Sequence, residues 1–175
     1  MIYKDEIIKA MNLLAEDDCV LFIGQNVVYG GAIAIHETLK NVPTNKKLEL
    51  PVAEDLQMGM SIGLALEGFI PVSIYPRMDF LIIAMNQLVN HLDKIADMSC
   101  NRFKPRVIIR TGIGAKRPLN PGPQHCQDHT EMLRACLTNI DVVKLEKAEQ
   151  IVPAYKAALK SDCSTILIEL AEKMR

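Results

Sequence analysis

A chain of 175 residues with 49% apolar side chains fits one domain with a substantial buried core, and it carries no low-complexity tract or linker. Twenty basic against 21 acidic residues leave a formal net charge of −1, so no long-range field gathers nucleic acid or an anionic membrane surface. Five scattered cysteines, odd in number and never in a C-x-x-C pair, argue against a disulfide framework and a zinc site and point to reduced thiols in a cytoplasmic protein.

The opening "MIYKDEIIKAMNLL" is charged and helical in period, which sets it apart from a signal peptide, and no apolar run is long enough to span a bilayer. After this first helix, "CVLFIG" predicts a buried strand ending in glycine. A helix over 30–41, a short strand "KKLEL" and a helix over 54–67 closed by Gly68 follow. Then come a strand "IPVSIY" and one long apolar helix over 79–98, with Asp79 as its N-cap. "PRVIIR" and "DVVKLE" predict strands separated by a Gly/Pro-rich loop over 111–127 and a helix over 128–137. A last helix, "AEQIVPAYKAALKS", leads into "STILIEL", a run suited to a parallel strand covered on both faces. Alternating helices and strands predict one doubly wound α/β domain over 1–175, with a mostly parallel sheet and helices on both faces.

Ligands of such sheets collect outside the carboxyl ends of the strands. That rule selects "GQNVVYGG", "ELPVAED", "YPRMDF" and the loop ending "PGPQHCQDH". The glycines of the first serve a tight turn or present backbone amides to an anion; neither a dinucleotide fingerprint nor a phosphate loop is present. Glu54 and Asp55, at a helix start, complement its dipole for about 0.3–1 kcal/mol. His125 and His129 stand four residues apart, as ordinary surface histidines, proton shuttles or a metal couplet, with no third ligand adjacent. Cys126 beside His125 raises a thiol nucleophile, but neighbouring side chains diverge. Phe80, Met85 and Leu88 read as helix packing.

Taken in order, "IGQNVVYGG", "LPVAEDLQMGMSIGLALEGFIPV", "DFLIIAMNQL", "PRVIIRTGIG", "QHCQ", "IDVV" and "STILIEL" resemble the pyrimidine-binding domain of thiamine diphosphate enzymes. The likeness is greatest to the beta subunit of the decarboxylating component of 2-oxoacid dehydrogenases, and more distant to transketolase. The resemblance implies that Glu54 bonds the 1′ nitrogen of the cofactor's aminopyrimidine and promotes its imino tautomer. A carboxylate on a rigid helix start suits that work, and Gly59, Ser61, Gly63 and Ala65 would let the helix pack closely beneath it. It implies that Phe80 packs on the pyrimidine ring, that Tyr29, Gly30 and Gly31 shape the turn beside the cofactor, and that His125 is a catalytic acid, base or hydrogen-bonding group.

The departures are equally specific. Arg77 stands where the family has the first aromatic of F-x-x-F, so it rebuilds the pocket or, with His129, meets the substrate. Gln25 and Asn26 replace the acidic pair of "GEDV", and Lys116 and Arg117 alter the glycine-rich loop. The G-D-G…N-N signature for magnesium and diphosphate, and a C-terminal domain, are absent from these residues, and no metal ligands are assigned here. The expectation is a pyrimidine-domain subunit whose alpha-type, diphosphate-binding partner holds Mg2+ in a heterotetramer acting on a 2-oxoacid or ketose phosphate. The alternative is a catalytically degenerate regulatory subunit. For the isolated chain, a groove lined by Met58, Met60 and Phe80 would favour a homodimer.

Overall fold

The computed structural model describes residues 1–29, 33–118 and 120–174. Helix α1 (Tyr3–Ala15) buries Tyr3, Ile7, Ala10, Met11 and Leu14, which recur at helical spacing along one side. Chain order then runs β1 (Val20–Gly24), α2 (Ile33–Thr38), β2 (Lys47–Glu49), α3 (Glu54–Leu66), β3 (Ile70–Ile74), α4 (Met78–Leu81), α5 (Ile95–Met98), β4 (Ile108–Ile113), α6 (Thr130–Cys136), β5 (Ile140–Lys144), α7 (Ala148–Lys160) and β6 (Ser164–Leu170). The strands form one six-stranded sheet in the order β2-β1-β3-β4-β6-β5, and every pairing is parallel. The predicted doubly wound α/β class is the observed one.

Side chains of alternate parity enter two separate layers. Along β6, Ile166 and Ile168 join Met58 of α3, Met78 and Leu81 of α4 and Leu133 of α6, while Leu167 joins the layer built by α1 and α7. Covering both faces explains why the central strands read as predominantly apolar runs. Among the described residues no helix is long and apolar enough to cross a membrane.

Five expectations are corrected. The helix over 79–98 is not continuous: a 3-10 turn (Ile82–Ala84) and a π segment (Asn86–Leu92) separate α4 from α5. The π register shows in the Asp93 N–H bond to Leu88 O at 3.0 Å, and side-chain ties hold the segment at both ends. Gln87 Nε2 donates to Asp55 on α3 at 3.2 Å, and the buried Asp93 carboxylate accepts N–H bonds from Thr138 and Asn139. Although burial pushes the Asp93 carboxyl up, bonds from Lys94, Asn139 and Thr138 hold it below its ordinary pKa. Asp79 makes no capping bond; the N-cap position falls on Arg77.

The strand expected over 105–110 instead runs three residues into the expected loop, because Thr111, Gly112 and Ile113 pair with Ile168, Glu169 and Leu170. Finally, Ser61 and Gly59 do pack, against Ser73 and Gln87, but Gly63 has nothing within 4 Å of where a Cβ would stand and faces outward. Met58 belongs to the core rather than to an exposed groove; the exposed apolar side chains near Glu54 and Phe80 in sequence are Val52, Leu56 and Ile83.

Candidate functional site

The chain passes from β1 to β2 on one side and to β3 on the other, so a crevice opens at the carboxyl ends of β1 and β3. Glu54, the first residue of α3, is delivered there and is only 5% exposed. Its side-chain partner is Gln25, just past β1, whose Nε2 donates to Glu54 Oε1 at 3.4 Å. The backbone of this helix start is fixed from below: Tyr75 O–H donates to Glu54 O at 3.4 Å and accepts from Ser73 Oγ at 3.3 Å. Burial, first of all, pushes the Tyr75 phenol well up, so it stays a neutral donor. One turn along α3, the buried amide of Gln57 donates to Ile74 O at 2.9 Å and to Ser73 Oγ at 3.1 Å. The carboxylate therefore stands on a helix whose hidden face is bonded to β3.

Gly24 makes the close approach of β1, α3 and β3 possible. Its φ is +152°, and a Cβ there would lie 2.6 Å from Ile74 O. The turn after it is not a vacant anion site. The carboxylate of Glu49, at the end of β2, accepts the N–H groups of Asn26 and Val28, both at 2.6 Å, and that of Tyr29 at 3.4 Å. An internal anion thus occupies these amides, which decides against the anion reading of "GQNVVYGG" for the amides of Asn26, Val28 and Tyr29. Tyr29 is 71% exposed; Gly30 and Gly31 lie outside the described residues.

A second group gathers beside α4. Phe80 and His125 meet edge to face, with ring centroids 5.6 Å apart and planes at 89°. His125 ends a 3-10 turn (Pro123–His125), and Arg77 Nη1 donates to its carbonyl at 2.7 Å. His129 stands at the N-cap position of α6 and donates its backbone N–H to Met78 Sδ at 2.9 Å. Phe80, His125, His129 and Asp79 line one open cleft of about 570 Å3. Three buried polar atoms around it have no partner among the described residues: Asp79 Oδ2, His125 Nδ1 and His129 Nε2. Asp79 Oδ1 accepts from Gln127 Nε2 at 2.9 Å, which ties α4 to the histidine loop.

Of the residues singled out in the sequence, Phe80, His125, His129 and Arg77 are brought together, whereas Glu54 stands at the neighbouring β1/β3 crevice and does not line that cleft. Glu49, Gln57 and Tyr75 support the site without having been singled out, and Asp79, expected only as a helix cap, joins them; no motif marks these roles, because each depends on a partner distant in sequence. Among the described residues no three His, Cys, Asp or Glu side chains converge as a metal site. A larger hollow of about 690 Å3 lies at the ends of β4, β5 and β6. There Lys144 pairs with Asp128 at 2.7 Å and Lys173 donates to Glu146 O at 2.6 Å, so much of its polar lining is internally matched.

A six-stranded parallel sheet in this order, with a buried carboxylate at the β1/β3 crevice and an aromatic–histidine pair beside it, defines a class of ligand-binding α/β domains. The family model for "Transketolase, pyrimidine binding domain" matches residues 6–174, and the chain belongs to this family, the pyrimidine-binding domain of thiamine diphosphate enzymes. The mitochondrial pyruvate dehydrogenase E1 component subunit beta of Ascaris suum is 29% identical over 158 residues, covering 89% of this chain and 43% of that protein. The chloroplastic subunit beta-3 of Arabidopsis thaliana is 30% identical over 155 residues, covering 87% and 37%. The chain thus spans less than half the length of these relatives. In fold it matches a solved structure described as a split gene transketolase, inactive beta4 tetramer (TM-score 0.72, 18% identity, 96% of this chain and 51% of that one). It also matches transketolase from Campylobacter jejuni (TM-score 0.75, 16% identity, 95% and 25%).

Proposed function

We propose that this chain supplies the pyrimidine side of a thiamine diphosphate site completed by a second, alpha-type polypeptide. The pair would act on a 2-oxoacid or ketose phosphate by decarboxylation, carboligation or ketol transfer. The observation that carries the reading is the Glu54 carboxylate, buried at the carboxyl edge of the sheet on a helix whose hidden face is bonded to β3. The residues suit the group: a buried acceptor for a ring nitrogen, an aromatic face at Phe80, and polar atoms beside Phe80 left unpaired among the described residues. When bound, thiamine diphosphate supplies an electron sink for cleavage next to a carbonyl.

Glu54 would hold a proton at a carboxylate oxygen against the pyrimidine nitrogen, and Gln25 would orient that carboxylate through its amide. Phe80 would present apolar area to one side of the ring and exclude water. His125 and His129 would donate to, or accept from, oxygen atoms of the substrate, with Asp79 as a further acceptor. Mg2+ and the diphosphate belong to the partner in this account, in an assembly of two pairs. The relatives named as subunits beta of pyruvate dehydrogenase support a two-chain arrangement.

Replacing Glu54 by Gln in the reconstituted pair should lower turnover roughly 100-fold or more, the usual scale of general acid–base catalysis. Turnover within a few-fold of wild type would remove Glu54 from the mechanism.

A further inference from the structure

Arg77 occupies a position that faces inward as much as outward. It is extended (φ −142°, ψ 147°) immediately before α4, and its carbonyl accepts the N–H of Phe80 at 3.1 Å, so both residues belong to one turn. From there its Nη1 reaches the carbonyl oxygen of His125 at 2.7 Å. The space in which these two atoms meet belongs to Gly114, directly after β4. A Cβ on that residue would lie 1.8 Å from His125 O and 2.6 Å from Arg77 Nη1. Three segments far apart in sequence therefore close on one point, and only a residue without a side chain leaves room for them.

We propose that Arg77 is a positioning residue: its guanidinium, locked with the His125 carbonyl against Gly114, holds the His125 ring edge-on to Phe80. One turn of α4 thereby grips His125 twice, by a charged hydrogen bond to its backbone and by a ring contact to its side chain. A charge-assisted bond to a carbonyl is the stronger kind of neutral-acceptor contact. Lysine could make it as a single donor but would lack the planar fork that fits the narrow space. The catalytic consequence rests on the function proposed above; the positional claim stands without it.

The test uses the full chain without cofactor, labelled with 15N and with 13C-histidine, as wild type, Arg77→Met, Arg77→Lys and Gly114→Ala. In Arg77→Met, the Cys126 amide, which shares its peptide group with the His125 carbonyl, and the His125 ring signals should move. The ring signals should lose the Phe80 ring-current contribution while His91 stays in place. Gly114→Ala should reproduce the pattern with Arg77 intact, and Arg77→Lys should restore part of it. Unchanged His125 and Cys126 signals in Arg77→Met overturn the proposal; should that variant unfold, unchanged signals in Gly114→Ala overturn it. In the reconstituted pair, Arg77→Met should lower kcat about 100-fold, the scale of a misplaced catalytic group, with a smaller change in KM. A raised KM at constant kcat would make Arg77 a substrate ligand instead. A wild-type pair without turnover would refute the function proposed above and leave the spectra to decide the position.

Discussion

Beneath the carboxyl ends of β4 and β6 lies a charged pair fully inside the protein, and its removal gives the largest predicted effect on stability. Arg110 donates through Nε and Nη2 to the two carboxylate oxygens of Glu169 at 2.9 and 3.0 Å, and Tyr155 O–H donates to the same carboxylate at 2.6 Å. The side chains are 0% and 2% exposed. Burial alone would push the Arg110 pKa down, but the Glu169 charge more than restores it; burial pushes the Tyr155 phenol far up. Replacing Glu169 by Leu leaves a guanidinium with no counter-charge in a site without water access, a cost of about 3–5 kcal/mol. For a chain of this size each kcal/mol lowers Tm by about 2–4 °C, so the loss should be about 6–20 °C. The triple change Arg110→Met, Glu169→Leu, Tyr155→Phe removes the charges and the orphaned hydroxyl together and should recover most of the stability. Urea denaturation followed by circular dichroism measures both. A cost below about 1 kcal/mol for Glu169→Leu would mean that Arg110, whose Nη1 has no partner among the described residues, is solvated or paired some other way.

Replacing Glu49 by Ala should release the amides of Asn26 and Val28, whose charge-assisted bonds are worth about 1.5–3 kcal/mol, and speed their hydrogen exchange roughly 10- to 100-fold; unchanged exchange would show that the turn stands without the carboxylate. Asp128 gives a pH dependence of definite sign. Burial pushes its carboxyl up, but together the bonds from Lys144 and Thr130 outweigh it and hold the carboxyl down to about 2 from its ordinary 3.8. Its stabilisation is therefore present above pH 3.8 and lost as pH falls through about 2. Because the side chain is 41% exposed, screening keeps the contribution under about 1 kcal/mol. Asp128→Asn should show that deficit at pH 5, with the gap closing below pH 3; a gap that widens on acidification would reverse the assignment.

The alternation of helix and strand was legible because the central strands are short, predominantly apolar runs, a pattern that needs cover on both faces. The break between α4 and α5 was not. Its apolar residues repeat as in any helix, and the π register depends on Gln87 and Asp93 reaching partners on α3 and before β5. Glu54 was legible through its motif and its place at a helix start. Its neighbours divide by the kind of contact they make. Phe80 and His125 carry family motifs, but their meeting depends on Arg77 and Gly114, and nothing local in either residue announces a contact with the other. Glu49 was hidden for the same reason: the amides it satisfies are more than twenty residues earlier in the chain.

The central claim is that this domain is one side of a two-chain thiamine diphosphate site. The measurement that tests it most directly is to purify the tagged full chain gently from its native host and analyse the eluate by mass spectrometry for co-purified polypeptides and bound thiamine diphosphate. The account predicts a stoichiometric second chain carrying the G-D-G…N-N signature, with thiamine diphosphate retained in the presence of Mg2+ and lost when Mg2+ is chelated. A chain that elutes alone, and binds no thiamine diphosphate with Mg2+ in calorimetry, would contradict it and reduce the Glu54 crevice to shared ancestry.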